Sequence, residues 1–141
     1  MNKLEVTIDV IVHATEDASK FFEIFSEVFG LEEEVFSVSE TSGHFENPIT
    51  VISSKISKKP ALQFLDKFLH LLSKDQKQMI IQEIEERTAD STLHIRLDKQ
   101  EFVQGRIAFK EKDAVKIKIQ TPIYNKKDTF KVFSEIFQRV N

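Results

Sequence analysis

The sequence predicts an α+β fold with a largely antiparallel sheet and helices packed mainly on one of its faces. Three observations lead there. Apolar and polar residues alternate in several short runs, the signature of strands with one buried face. Between these runs lie stretches with apolar residues three and four apart, the spacing of an amphipathic helix. The segments follow the order β-α-β-β-α-α-β-(β)-β-α, without the solid apolar strands that a parallel sheet requires.

Leu4, Val6, Ile8, Val10 and Val12 alternate with Glu5, Thr7, Asp9 and Ile11 and predict the first strand. Thr15 is expected to cap a helix with Glu16 and Asp17 in its first turn, where the dipole favours acids. Ala18, Phe21, Phe22, Phe25, Val28 and Phe29 form its apolar stripe, and Gly30 stops it. Glu32, Glu33 and Glu34 read as a solvated turn, Val35 to Glu40 as a strand, Thr41 to Pro48 as a loop and Ile49 to Ile56 as a third strand. Ser57 to Pro60 opens a helix with proline in its first turn, striped by Leu62, Leu65, Phe68, Leu69 and Leu72. Ser73 and Gln76 have the capping-box pattern, starting a helix that runs to about Arg87 with Met79, Ile80, Ile81 and Ile84 as its apolar set. Leu93, Ile95 and Leu97 alternate with His94, Arg96 and Asp98 in a fourth strand. Gly105 marks a turn before a short strand, Ile107 to Phe109. Val115, Ile117 and Ile119 alternate with Lys116, Lys118 and Gln120 in a further strand that Pro122 ends. Asn125 is expected to cap a last helix with Phe130, Phe133, Ile136 and Phe137 on one face.

The chain has 141 residues, 40% of them apolar and 30% charged. That suits a single domain over residues 1–141, large enough to bury a core without cross-links. It contains no cysteine, so disulfides, cysteine–zinc sites and iron–sulfur clusters are excluded. The composition fits a reducing compartment, and a cytoplasmic location is expected. No apolar run reaches the length of a membrane span, so no membrane partner is expected. Met1 to Asp9 lacks the basic start and apolar stretch of a secretory leader. Thirteen phenylalanines stand against one tyrosine and no tryptophan. Phenylalanine at helical spacing reads as core, so stacking of single-stranded bases is not expected.

The formal net charge of −3 conceals a gradient. Residues 1–48 carry 2 basic and 11 acidic side chains, whereas residues 92–141 carry 11 basic and 6 acidic ones. The total argues against non-specific coating of nucleic acid, and the gradient favours a local anion-binding face. No phosphate-binding glycine loop, dinucleotide fingerprint or nucleophile elbow is present among the three glycines. His13, Glu16, Asp17 and His44 could meet around a divalent ion, but their spacing matches no metal motif. Thr15 to Asp17 are accounted for by the helix start, and His70 reads as a plain surface or packing residue. No metal, cofactor or catalytic residue is therefore assigned.

Three segments carry a resemblance. His13-Ala14-Thr15-Glu16-Asp17, then Gly43-His44-Phe45 with Asn47-Pro48-Ile49, then Leu97-Asp98-Lys99-Gln100, in this order and at these separations, resemble an archaeal family of predicted RNA-binding proteins, also described as predicted exosome subunits. The resemblance covers the chain from about Val6 to the last helix. It implies a fold like the double-stranded-RNA-binding domain or ribosomal protein L5, and RNA as the ligand. Glu46 stands where glycine is expected in the family's loop, which adds negative charge near any RNA path.

The expectation is a non-catalytic RNA-binding protein reading shape and phosphates. Its contacts would be Lys99, Arg106, Lys116, Lys118, Lys126 and Lys127, with His94 and Arg96 in support. The alternative is a protein-interaction subunit whose acidic N-terminal region docks a basic partner of an RNA-processing assembly. A third reading is a metal-dependent enzyme on His13, Glu16, Asp17 and His44. Nothing indicates an oligomeric state.

Overall fold

The computed structural model describes residues 3–42 and 47–138. It is an α+β structure with a six-stranded antiparallel sheet, as expected. The strands are β1 (Glu5–Val12), β2 (Ser37–Ser42), β3 (Pro48–Ser57), β4 (Thr88–Ala89), β5 (Thr92–Asp98) and β6 (Ala114–Gln120). Their order across the sheet is β2-β3-β1-β6-β5-β4. The helices are α1 (Ala18–Phe29), α2 (Lys58–Leu71), α3 (Lys74–Gln82), α4 (Ile84–Arg87), α5 (Lys99–Phe102) and α6 (Thr129–Gln138). The chain divides into two compact units. Unit 1 holds Met1–Val6, Ile56–Ile95 and Lys118–Asn141; unit 2 holds Thr7–Lys55 and Arg96–Ile117. The chain passes from one unit to the other inside strands, so no linker composition marks a boundary.

In unit 2, α1 buries Phe21, Phe25 and Phe29, one per turn. Asp17, rather than Thr15, is its N-cap: the carboxylate accepts from the Ser19 amide at 3.0 Å and the Ser19 hydroxyl at 2.7 Å. Gly30 ends the helix at φ 68°, with its amide on the Ser26 carbonyl and the Leu31 amide on that of Phe25. These are the paired bonds of a Schellman cap. Phe102, 1% exposed, packs on this stripe, its ring 5.1 Å from that of Phe25 and 5.9 Å from that of Phe29. Phe36 closes the cluster 4.7 Å from Phe25.

The second strand begins two residues later than expected. Val35 belongs to a 3-10 turn, Glu33–Val35, and is 46% exposed. Every residue of β2 is exposed, and its register with β3 runs from Ser37 opposite Ser53 to Ser42 opposite Pro48. Residues 99–102, to which the sequence reading assigns no element, form α5, capped by the Asp98 carboxylate on the Glu101 amide at 2.9 Å. The expected strand at 107–109 is reduced to one bridge between Leu97 and Phe109. The Asp98 amide donates to Ala108 and the Lys110 amide to Arg96.

In unit 1, α2 buries Ala61, Phe64, Leu65, Phe68 and Leu69. The capping box of Ser73 and Gln76 is present at α3. The single helix expected to Arg87 breaks at Glu83 into α3 and α4, and both pack against α6. Asp90 and Ser91, at φ 49° and 65°, join β4 to β5 as a two-residue hairpin loop. Positive φ at both central positions is the backbone of a type I′ turn, here without the usual glycine. Asn125 caps a 3-10 turn, Lys126–Asp128, and α6 follows. Phe133, Ile136 and Phe137 are buried as expected, but Phe130 is 47% exposed and does not join them. No helix among the described residues is long and apolar enough to cross a membrane.

These packing assignments separate two phenylalanines of opposite consequence. Phe102→Ala should lower stability by about 3–5 kcal/mol, the usual cost of deleting a buried ring. Phe130→Ala should change it by less than about 0.5 kcal/mol. Urea denaturation followed by circular dichroism measures both.

Candidate functional site

In unit 2 the first and last resembling segments meet around one buried cation. Lys99, the first residue of α5, is 5% exposed. Its Nζ donates to the Ile11 carbonyl, to Glu16 Oε1 at 3.1 Å and to Asp113 Oδ1 at 2.8 Å. An ammonium has three protons, so three acceptors satisfy it completely. Glu16 Oε1 also accepts from the His13 amide at 2.8 Å, while the Glu16 amide returns a bond to the His13 carbonyl at 2.9 Å. His13 Nε2 lies 2.9 Å from Asp113 Oδ1. The segment His13 to Asp17 is thus a closed turn that offers one carboxylate to Lys99 and uses the next, Asp17, to cap α1.

The hydrogen bond from Lys99 holds the Asp113 carboxyl below the usual carboxylate range, helped by His13 and opposed by partial burial. Asp17 is lowered as well, by its hydrogen bonds from the Ser19 hydroxyl and amide. Asp113 sits at φ 51°, the left-handed region that aspartate tolerates better than most residues. Nothing in the local sequence singles Asp113 out. The only signal available was an acid one residue before an alternating strand, across from a lysine that closes another.

The chemistry of the cluster is that of a closed ion-pair network. The ammonium occupies the space between the two carboxylates, and none of its protons remains for a ligand. Lys99 therefore does not present its charge to solvent, contrary to its expected place in a phosphate-binding set. A lysine can be buried only where acceptors replace its water, and here all three do. Among the described residues no group of three or more His, Cys, Asp or Glu side chains is arranged to hold a metal ion. Of the four residues considered for a metal, His13 is directed to Asp113, Glu16 to Lys99 and Asp17 to the α1 cap. His44 lies outside the described residues, as do Gly43, Phe45 and Glu46.

Thr15 is exposed in the turn before α1, and Gln100 is exposed on α5. Asn47 is exposed, and Pro48 begins β3. Asp98 caps α5, with the Lys110 ammonium 3.7 Å away. In unit 2, Arg106 is exposed and paired with Glu101 at 2.5 Å, Lys116 is exposed on β6 and Arg96 is half-buried on β5. In unit 1, His94 and Lys118 are half-buried, and Lys126 and Lys127 are exposed in their 3-10 turn.

A family model described as RNA binding matches residues 5–121. The RNA-binding protein PAB1135 of Pyrococcus abyssi is 31% identical over 126 residues, which cover 84% of this chain and 82% of that protein. Among solved structures, protein AF2318 from Archaeglobus fulgidus, of the DUF54 family, superposes with a TM-score of 0.79 at 28% identity over 94% of this chain and 97% of that one. Mth689, a DUF54 protein from Methanothermobacter thermautotrophicus, gives 0.73 at 25% identity over 95% and 97%.

Removing the central cation tests the network. Lys99→Met should destabilise the protein by less than the roughly 3–5 kcal/mol seen when a fully buried partner is orphaned, because the carboxylates left behind reach solvent. The effect should depend on pH. A carboxyl whose folded pKa is depressed contributes stability above its unfolded pKa, near 3.9 for aspartate, and loses it as pH falls through the folded value. The difference between wild type and Lys99→Met should therefore be full at pH 7 and shrink below about pH 4. Urea midpoints across that range measure it.

Proposed function

This chain belongs to the RNA-binding family, and from that premise we propose that it binds structured RNA without catalysis, through phosphates and ribose hydroxyls. The observation that carries the reading is the distribution of basic side chains that the core does not consume. On β6, Val115, Ile117 and Ile119 are buried, whereas Lys116 is exposed and Lys118 half-exposed. Between α5 and β6, Arg106, Lys110 and Lys112 are exposed. The pairs Arg106–Glu101 and Lys110–Asp98 lie at the surface. Such pairs contribute about 0–1 kcal/mol, so exchanging one for a phosphate costs little. In unit 1, Lys126 and Lys127 add two exposed ammonium groups, and Lys118 and His94 support them. Arg96 does the same in unit 2.

A second reading has its own observation. Glu23 and Glu27 on α1, with Glu33 and Glu34 in the following turn, are all exposed. They give unit 2 an acidic surface suited to a basic protein of an RNA-processing assembly such as the exosome. A partner captured from extract that survives ribonuclease supports this docking role, and one lost with ribonuclease is held by RNA.

The RNA reading predicts that affinity for a structured RNA falls steeply with salt. Lys116→Glu with Lys118→Glu should weaken binding and flatten the log K against log salt slope by about 2. Fluorescence anisotropy with a labelled RNA hairpin measures both. Unchanged affinity in the double variant would move the RNA surface away from β6.

A further inference from the structure

Unit 1 contains a cleft of about 620 Å³ that the family segments do not touch. Its volume lies in the range of small-ligand sites. Its walls include Lys3, Lys58, Asp90, Ser91, Gln120 and Thr121. We infer that this cleft is a nucleotide site, taking one phosphorylated nucleoside with an unpaired base: its phosphate on Lys3, Lys58 and Thr121, its sugar on Asp90, its base against Tyr124.

The phosphate end rests on four observations. Lys3 and Lys58 form no ion pair among the described residues. Lys58 opens α2, a helix of 14 residues whose N-cap, Ser57, makes no side-chain capping bond although it too lines the cleft. Pro60 has no N–H, so the free amides of this first turn are those of Lys58 and Lys59, and they attract an anion. Independently, Thr121 is only 8% exposed and lines the cleft, and its hydroxyl has no partner among the described residues. No buried side-chain nitrogen or oxygen among the described residues lacks a partner, so this hydroxyl is one that solvent in the cleft reaches, where a ligand oxygen can take its proton.

The remaining features fit the rest of a nucleotide. The cleft is not a plain anion site, because the carboxylates of Glu5 and Asp90 share its lining. A carboxylate accepts from ribose hydroxyls, as in dinucleotide sites. Tyr124 is 90% exposed, the most exposed large apolar side chain described. It lies two residues beyond Pro122, which lines the cleft, so its backbone is within about 7 Å of that wall. An exposed ring beside Lys126 and Lys127 is the combination that stacks an unpaired base and holds its backbone. Of the four positive-φ residues other than glycine among the described residues, Lys58, Asp90 and Ser91 line this one cleft. Strained backbone of that kind gathers at binding sites. The inference departs at Tyr124 from the expectation that single-stranded bases are not stacked.

The inference rests on the RNA reading in that the nucleotide is taken to be an unpaired residue of a bound RNA. A free mononucleotide has the same chemistry, and the experiment separates the two. The chain has one tyrosine and no tryptophan, so its tyrosine emission reports position 124 alone. The full chain is titrated with adenosine monophosphate, with adenosine and inorganic phosphate separately, and with a short single-stranded oligoribonucleotide. Duplex RNA is followed in parallel by filter binding. Quenching by the oligonucleotide, beyond that of adenosine or phosphate, is the expected result; quenching by adenosine monophosphate as well makes the free nucleotide a ligand in its own right. Thr121→Val preserves shape, and Lys58→Asn keeps a residue tolerant of positive φ. Each should weaken the quenching interaction about fivefold, the scale of one lost hydrogen bond, and leave duplex binding unchanged. No quenching by either nucleotide probe, or wild-type affinity in both variants, overturns the site. Retained duplex binding would then leave the RNA reading standing. Quenching by adenosine monophosphate with no RNA bound in any form would keep the site and end the RNA reading.

Discussion

A lysine removed from water must find an acceptor for each of its three protons, and at Lys99 the fold supplies them from three separate stretches of chain. This requirement shapes everything around it. β1 has to end with the Ile11 carbonyl turned toward the ammonium. The residues from His13 to Glu16 have to close tightly enough to return the Glu16 carboxylate. Asp113 has to enter the left-handed region just before β6 begins. α5, only four residues long, is held at its first residue by this network and at its last by the rings of α1. A short helix of that kind has no stability of its own and depends on such anchoring.

The network also changes how the charge gradient is understood. Formal counting makes residues 92–141 strongly basic. Within that stretch, Lys99 is neutralised internally, and Arg106 and Lys110 have acidic neighbours at the surface. Lys112 and Lys116, with Lys126 and Lys127 in the 3-10 turn before α6, are exposed and stand in none of these pairs, so less positive charge meets solvent than formal counting suggests. The two kinds of lysine have different roles: one fixes the backbone, and the others meet solvent.

Much of the fold was legible because the signals were local. The alternation at Leu4 to Val12, the glycine stop at Gly30 and the capping box at Ser73 each involve neighbours in the chain, and each appears as expected. What was not legible depended on distant partners. Val35 and Phe130 are apolar residues of the expected strand and helix, but they stay 46% and 47% exposed. The turn at Asp90 and Ser91 has none of the usual glycine chemistry, because the hairpin partners impose its backbone. For the cluster, the sequence indicated that the segments at His13 and Asp98 matter together, by resemblance, but not that Lys99 lies inside. Burial of a lysine follows from acceptors far away in sequence, Asp113 among them, and no spacing rule announces it.

Only three glycines occur in this chain, and among the described residues four others take backbone conformations that glycine would occupy with less strain. Those positions form a map of where side chains are retained against conformational preference. At Asp113 the reason is visible: a glycine there would relax the backbone and lose the contacts to Lys99 and His13. Among the described residues, Lys58, Asp90 and Ser91 make no side-chain bond that offsets their strain, although the Thr92 hydroxyl donates to the Asp90 carbonyl and the Thr121 amide to that of Ser91. Engineering for heat resistance would target those three first, since relieving strained residues is an ordinary route to a more stable protein. The same substitutions would remove the groups facing the cleft, so robustness and recognition compete for the same few positions.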